Sequence, residues 1–233
     1  MVVATRVGRV VVRLVGFAIL AKLFGLLGLQ FGHIVGSMRA ASFSGTSVMV
    51  PLAGLFGGVW ECGVLSAFLM AGSWCKGVAI LKASTYGIPS FFGALYWVRP
   101  SLLTRCGVPA VCMILFWLHP VGFAAFAYAL YWLIPISLYW YGRRYGNRFY
   151  LDAIGSTFVA HAVGSVIWLY TIPMSPQTWL LLVPIVIQER LLIAGWMMVV
   201  YLAATYVVRV YARMASFYSW LPSPRFTCRR VHV

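Results

Sequence analysis

Acidic side chains are nearly missing from this sequence. Glu61, Asp152 and Glu189 are the only three among 233 residues, against eighteen lysines and arginines. Charged residues make up 9% of the chain and hydrophobic residues 63%, where a soluble domain holds about 25% and about 45–50%. Several apolar runs reach the length of about 20 residues that a helix needs to cross a bilayer. The composition therefore points to an all-α fold, a polytopic transmembrane helical bundle of about six spans (six to eight, depending on residues 73–105). The strands of a membrane β-barrel alternate apolar and polar positions, whereas these runs are apolar all round. Residues 1–233 read as one integral membrane domain ending in a basic cytoplasmic tail, 209–233.

Catalytic and metal-binding patterns are missing too. There is no HExxH, no paired-aspartate motif, no glycine-rich phosphate loop and no ATPase motif. Phe43-Ser44-Gly45 lacks the preceding glycine of an intramembrane-protease GxSG. His33, His119, His161 and His232 have no metal-ligand spacing, and the five cysteines contain no CxxC. An enzyme is not expected, nor is a cofactor or a metal, and the cysteines read as small buried hydrophobes. Any active transport would have to draw energy from partner subunits or an ion gradient.

What is present is positive charge, and its placement is informative. Arg6, Arg9 and Arg13 precede the first apolar run, and Arg143, Arg144 and Arg148 share one short loop. Arg209, Arg213, Arg225, Arg229 and Arg230 follow the last run. These three clusters fit one side of a membrane, as the positive-inside rule requires, with both termini inside. The net charge of +15 then implies contact with anionic membrane lipid rather than nucleic acid. A multi-pass protein of a bacterial plasma (inner) membrane is the expected setting.

Along the chain, residues 10–32 form a first span with Gly28, Gly32 and Gly36 at four-residue spacing, a stripe that lets another helix approach closely. Residues 37–47 read as an external loop. Residues 48–72 read as one span or as two helices breaking at Gly57-Gly58, with Glu61 just beyond the break. An ionisable group at membrane depth is a functional candidate by default, although a cap or interfacial role is open. Residues 106–141 hinge at His119-Pro120, because the residue before a proline is biased away from helix. Helices ending near Leu118 and beginning near Val121 are expected. The aromatics of this stretch, Trp117, Tyr128, Tyr131, Trp132, Tyr139, Trp140 and Tyr141, suit an interfacial belt or a cavity for a flat ligand.

Residues 149–171 and 178–208 form an apolar hairpin around a short uncharged turn. Thr157, His161, Ser165 and Trp168 fall on one face of its first helix. Ser156, Ala160 and Gly164 make an adjoining stripe of small residues. On the second helix, Glu189 and Trp196 repeat the spacing of His161 and Trp168. The expected substrate-binding residues are His161, Glu189, Trp168, Trp196, Thr157, Ser165, Arg190 and Glu61. Glu189 and Arg190 point about 100° apart on a helix, so separate partners are expected for them. A structural Glu189–His161 pair is the alternative to ligand contact.

The order of a basic N-terminus, one span, a small polar loop with FSGTS, then VPLAGLFGG and an interrupted helix resembles the membrane-embedded substrate-binding (S) component of energy-coupling factor vitamin transporters. The resemblance covers residues 10–72 and, more loosely, 153–205. It implies a six-helix bundle that captures a vitamin-class small-molecule substrate from outside. It also implies docking, near Ala21-x-x-x-Gly25, onto a transmembrane coupling protein that carries ATPase subunits. The alternative is a non-transporting scaffold or assembly factor whose small-residue stripes dock partner helices.

Overall fold

A computed structural model describes residues 11, 14–16, 18–19, 33–35, 38–41, 50–54, 58–75, 80–146 and 149–217. The first-span glycines, Ala21 and Gly25, the FSGTS segment and the arginines before residue 14 lie outside these. Among the described residues the fold is helical apart from one small hairpin. Its strands β1 (His33–Val35) and β2 (Met38–Ala41) pair antiparallel, with Ile34 opposite Arg39. Part of the expected external loop is therefore a strand.

The helices run α1 (Val59–Trp74), α2 (Ile80–Val98), α3 (Val108–Leu118), α4 (Pro120–Ala124), α5 (Leu133–Tyr145), α6 (Phe149–Thr171) and α7 (Pro176–Phe217). A π-helical turn, Leu103–Gly107, enters α3, and a 3-10 helix, Phe126–Trp132, joins α4 to α5. Two compact units divide the chain, residues 1–197 and 198–233. The second is helical to Phe217, with Val199, Leu202, Tyr206 and Val207 exposed.

Of the two readings of 48–72, the interrupted one fits the structure at Gly58, and the break there has a local cause. Gly58 adopts φ +101°, a left-handed conformation that only glycine takes without strain. Its N–H donates to Gly54 O at 2.7 Å and its carbonyl accepts from Cys62 N at 3.3 Å. One residue thus closes the helical turn at 50–54 and opens α1. The illegible stretch 73–105 is mostly α2, which keeps Pro89 inside the helix.

His119 is extended, with ψ 135°, and its Nδ1 accepts from Val121 N at 3.3 Å, capping α4. The hinge sits where Pro120 puts it. Beyond it, however, the single helix expected from Val121 is broken into α4, the 3-10 helix and α5. Phe116 O occupies the space a Cβ at Gly122 would need, so the chain doubles back tightly there. At the other turn, Ser175 Oγ accepts from Thr178 N at 3.2 Å with Pro176 in the first helical position. That is a standard helix start.

Around α6 the small-residue stripe receives α2. Ser156 Oγ donates to Gly93 O at 2.8 Å, and Gly155 lies under the Tyr96 ring with no room for a side chain. Gly164 faces Pro89. The larger core gathers Phe116, Tyr128, Trp132, Phe158, Trp179 and Leu182 from α3, the 3-10 helix, α6 and α7. A smaller one joins Val50, Ala53, Cys62, Leu65 and Ala94.

One buried ion pair ties the π-helical turn to the start of α6. Arg105, in the π-helical turn, is 1% exposed. Its Nη2 lies 2.9 Å from Asp152 Oδ1 and its Nε donates to Tyr96 O at 3.2 Å. The guanidinium also stands 4.9 Å from the Tyr96 ring centre. Arg105 thereby meets the carbonyl end of α2 and a carboxylate in the first turn of α6, both favourable placements against the helix dipoles. Removing one partner of a buried pair strands the other charge. Asp152→Ala is therefore expected to cost about 3–5 kcal/mol in detergent unfolding, with much of it recovered in the Arg105→Met/Asp152→Leu double variant. The exposed Arg143→Ala should stay within about 0.5 kcal/mol, and equal losses for Asp152→Ala and Arg143→Ala would refute this.

Candidate functional site

The face of α6 that carries Thr157, His161 and Ser165 turns inward, toward the 3-10 helix and the first half of α7. His161 Nε2 lies 2.9 Å from Tyr128 Oη and 2.9 Å from Ser165 Oγ, and the two hydroxyls are 3.1 Å apart. The His161–Ser165 contact follows from their spacing of four on a helix. Tyr128 comes from a segment with no helical periodicity to announce it. Ser165 and Tyr128 are buried, so each hydroxyl needs an internal partner, and this closed ring of polar atoms provides it.

Aromatic rings enclose that network. Tyr128 stacks on Phe116 at 5.3 Å and meets Trp179 edge-on at 4.7 Å. Tyr131 lies 5.9 Å from the His161 ring and 6.0 Å from Phe158, while Trp132 meets Phe116 edge-on at 5.4 Å.

Glu189 and Arg190 pair with each other, Nη2 to Oε1 at 2.8 Å. This corrects the expectation of separate partners. The backbone directions diverge, but arginine's long flexible side chain returns to its neighbour's carboxylate. Both are largely buried, where an unmatched charge is costly. The Glu189–His161 alternative is also corrected, because His161 is held by Tyr128 and Ser165. Thr157 Oγ1 donates to Ile154 O at 2.8 Å and to Arg190 O at 3.2 Å, tying α6 to α7 beside the ion pair.

The remaining expected residues scatter. Trp168 is half-buried against the main core. Trp196 is 36% exposed on α7, so it does not mirror Trp168 across a pocket. Glu61 is 3% exposed in the first turn of α1, where a carboxylate is favoured by the helix N-terminus. It precedes Cys62 of the smaller core on α1 and is not part of the hairpin.

An open cleft of about 520 Å³ lies at the turn end of the hairpin, lined by His119, Val121, Leu169, Tyr170, Met174 and Ser175 among others. His119 meets Tyr170 edge-on at 5.1 Å, and Tyr170 Oη donates to Leu115 O at 3.0 Å. Because His119 Nδ1 accepts a backbone N–H, the neutral ring carries its proton on Nε2. Leu169 continues the His161–Ser165 face, which puts the polar ring about 6–12 Å below the cleft along α6. His119 was legible as a hinge and not as a lining residue. Among the described residues, no group of three or more His, Cys, Asp or Glu side chains is placed to hold a metal.

Comparison with protein-family models, with curated proteins and with solved structures finds no match. The polar ring makes its own prediction. Tyr128→Phe and Ser165→Ala should show a coupling of about 0.6 kcal/mol or more in a double-mutant cycle, the size seen for polar contacts between membrane helices. Strict additivity in detergent unfolding would mean that the hydroxyls do not act as one network.

Proposed function

We propose that the chain is a multi-pass protein of a bacterial plasma membrane that captures a small, vitamin-class metabolite for uptake. In this reading it is the substrate-binding component of an energy-coupling factor transporter, energised by a coupling protein with ATPase subunits, and it binds its ligand without transforming it. Two helices, α6 over Phe149–Thr171 and α7 over Pro176–Val207, are long and apolar enough to cross a membrane. Outward faces are apolar as well: Val111, Ile114 and Leu118 on α3, and Leu180, Leu181, Leu191 and Leu192 on α7 are exposed. Helices apolar on both faces suit lipid surroundings.

The observation that carries the reading is the position of the cleft. It sits at the uncharged end of α6, about 34 Å along the helix from the Phe149 end, next to which Arg143 and Arg144 end α5 exposed. With the arginines inside, the cleft opens outward, where uptake begins. The small-residue stripe on α6 is taken by α2, whereas the Gly28, Gly32 and Gly36 stripe on which the scaffold alternative rests lies outside the described residues.

Purified full-length protein should be thermally stabilised by one member of a vitamin panel, by about 2.7 kcal/mol at a hundredfold excess over Kd. His119→Ala is expected to weaken that ligand about tenfold, as loss of one hydrogen bond in a small site does. ATPase subunits should co-purify from the native membrane. A panel with no stabilising member would contradict ligand capture, and co-purified partners without ATPases would favour the scaffold.

A further inference from the structure

The cleft at the turn end of the hairpin is walled by peptide groups that have no partner in the chain. The hydrogen-bond ladder of α6 closes where Ile172 N donates to Trp168 O at 2.9 Å. Pro173 has no N–H to offer the next carbonyl, Leu169 O. Among the described residues no backbone donor reaches the carbonyls of Tyr170 and Thr171 either, and the N–H groups of Met174 and Ser175 meet no backbone acceptor. The last carbonyls of a helix point past its end, here into the turn at 172–175 that lines the cleft.

The lining side chains do not satisfy these groups, because most are engaged elsewhere. Thr171 Oγ1 turns back to Ile167 O at 2.8 Å, Tyr170 Oη donates to Leu115 O at 3.0 Å, and Ser175 Oγ pairs with Thr178 Oγ1 at 2.9 Å. His119 differs, since Val121 N engages its Nδ1 and its Nε2–H remains as a donor. No Lys, Arg, Asp or Glu is among the described residues that line the cleft. An ionised ligand would therefore leave water without gaining a counter-charge. A plain hydrocarbon would cover peptide groups that need polar partners. Another amide matches them, because its carbonyl accepts and its N–H donates.

We infer that the cleft selects an uncharged metabolite through an amide-type group, whether open amide, lactam or ureido ring. The N–H of that group donates to the end of α6, at Leu169 O, and its carbonyl oxygen accepts from His119 Nε2. The apolar remainder of the ligand lies against Val121, Leu169 and Met174, which line the same cleft. This inference rests on the ligand-capture reading above and specifies its substrate class.

The test is isothermal titration of the full chain in detergent micelles at about pH 8, where histidine is ordinarily neutral. Three probes share one ring: nicotinamide, nicotinate (a carboxylate in place of the amide) and N,N-dimethylnicotinamide (the carbonyl without the N–H). Nicotinamide should bind, and each of the others should bind at least about tenfold more weakly. Pro173→Ala gives the chain an N–H for Leu169 O, and should close the gap between nicotinamide and its dimethyl derivative. If that variant fails to fold, the three probes on the unaltered chain decide. Nicotinate or the dimethyl compound binding as well as nicotinamide would overturn the inference. So would a Pro173→Ala variant that folds and keeps the full gap. No binding of nicotinamide, where the vitamin panel has a stabilising member, would overturn it and leave ligand capture standing. No binding by any probe and no stabilisation by the panel would overturn both.

Discussion

The hydroxyl of Tyr128 is the point on which the main core turns. Its hydrogen-bond network reaches His161 and Ser165 on α6, while its ring touches Phe116 on α3 and Trp179 on α7. The 3-10 helix that carries it exists because the chain doubles back at His119-Pro120 and packs Gly122 against Phe116 O. Inside an apolar bundle a buried polar group without a partner is expensive. Once His161 occupies α6, the bundle therefore has to bring polar atoms to it, and that requirement fixes the register of three packed segments.

A second constraint acts through charge. With so few acids, buried cations have few possible partners, and the fold brings carboxylates to two of them. Asp152 meets Arg105 where the end of α2 approaches the start of α6, and Glu189 meets Arg190 on α7 beside Thr157. The unpaired arginines Arg143 and Arg144 stay at the exposed end of α5, over the rings of Trp140 and Tyr145. Arg105 and Arg190 are thus matched inside, Arg143 and Arg144 lie next to the Phe149 end of α6, and no Lys, Arg, Asp or Glu lines the cleft at its other end.

How far these features are legible in the sequence depends on how local they are. The α6 boundaries, the Pro120 hinge, the Gly58 break and the small-residue stripe follow from neighbouring residues, and the structure agrees with each. The His161–Ser165 contact is a matter of helix spacing and was equally visible. Tyr128 stands out in the sequence only as one of the seven tryptophans and tyrosines of residues 106–141, and Trp179 and Arg105 do not stand out at all, because their roles depend on contacts between segments far apart in the chain. The 3-10 stretch carries no period to mark which ring faces inward. The Glu189–Arg190 pair is illegible for another reason: the two backbone directions diverge, and side-chain length decides the contact. Trp196 shows the opposite limit, since a repeated spacing on two helices says nothing about whether those faces meet.

Together these constraints describe a bundle whose polar and aromatic interior lies directly below an apolar, uncharged mouth. The orientation of the α6–α7 hairpin is its central claim. Cysteine labelling in intact cells tests it most directly, in a background with the five native cysteines replaced. A Ser175→Cys variant at the turn should react with a membrane-impermeant maleimide from outside, and an Arg144→Cys variant should react only after permeabilisation. Labelling of both from the same side, or of Arg144→Cys alone in intact cells, would contradict the outward-facing cleft.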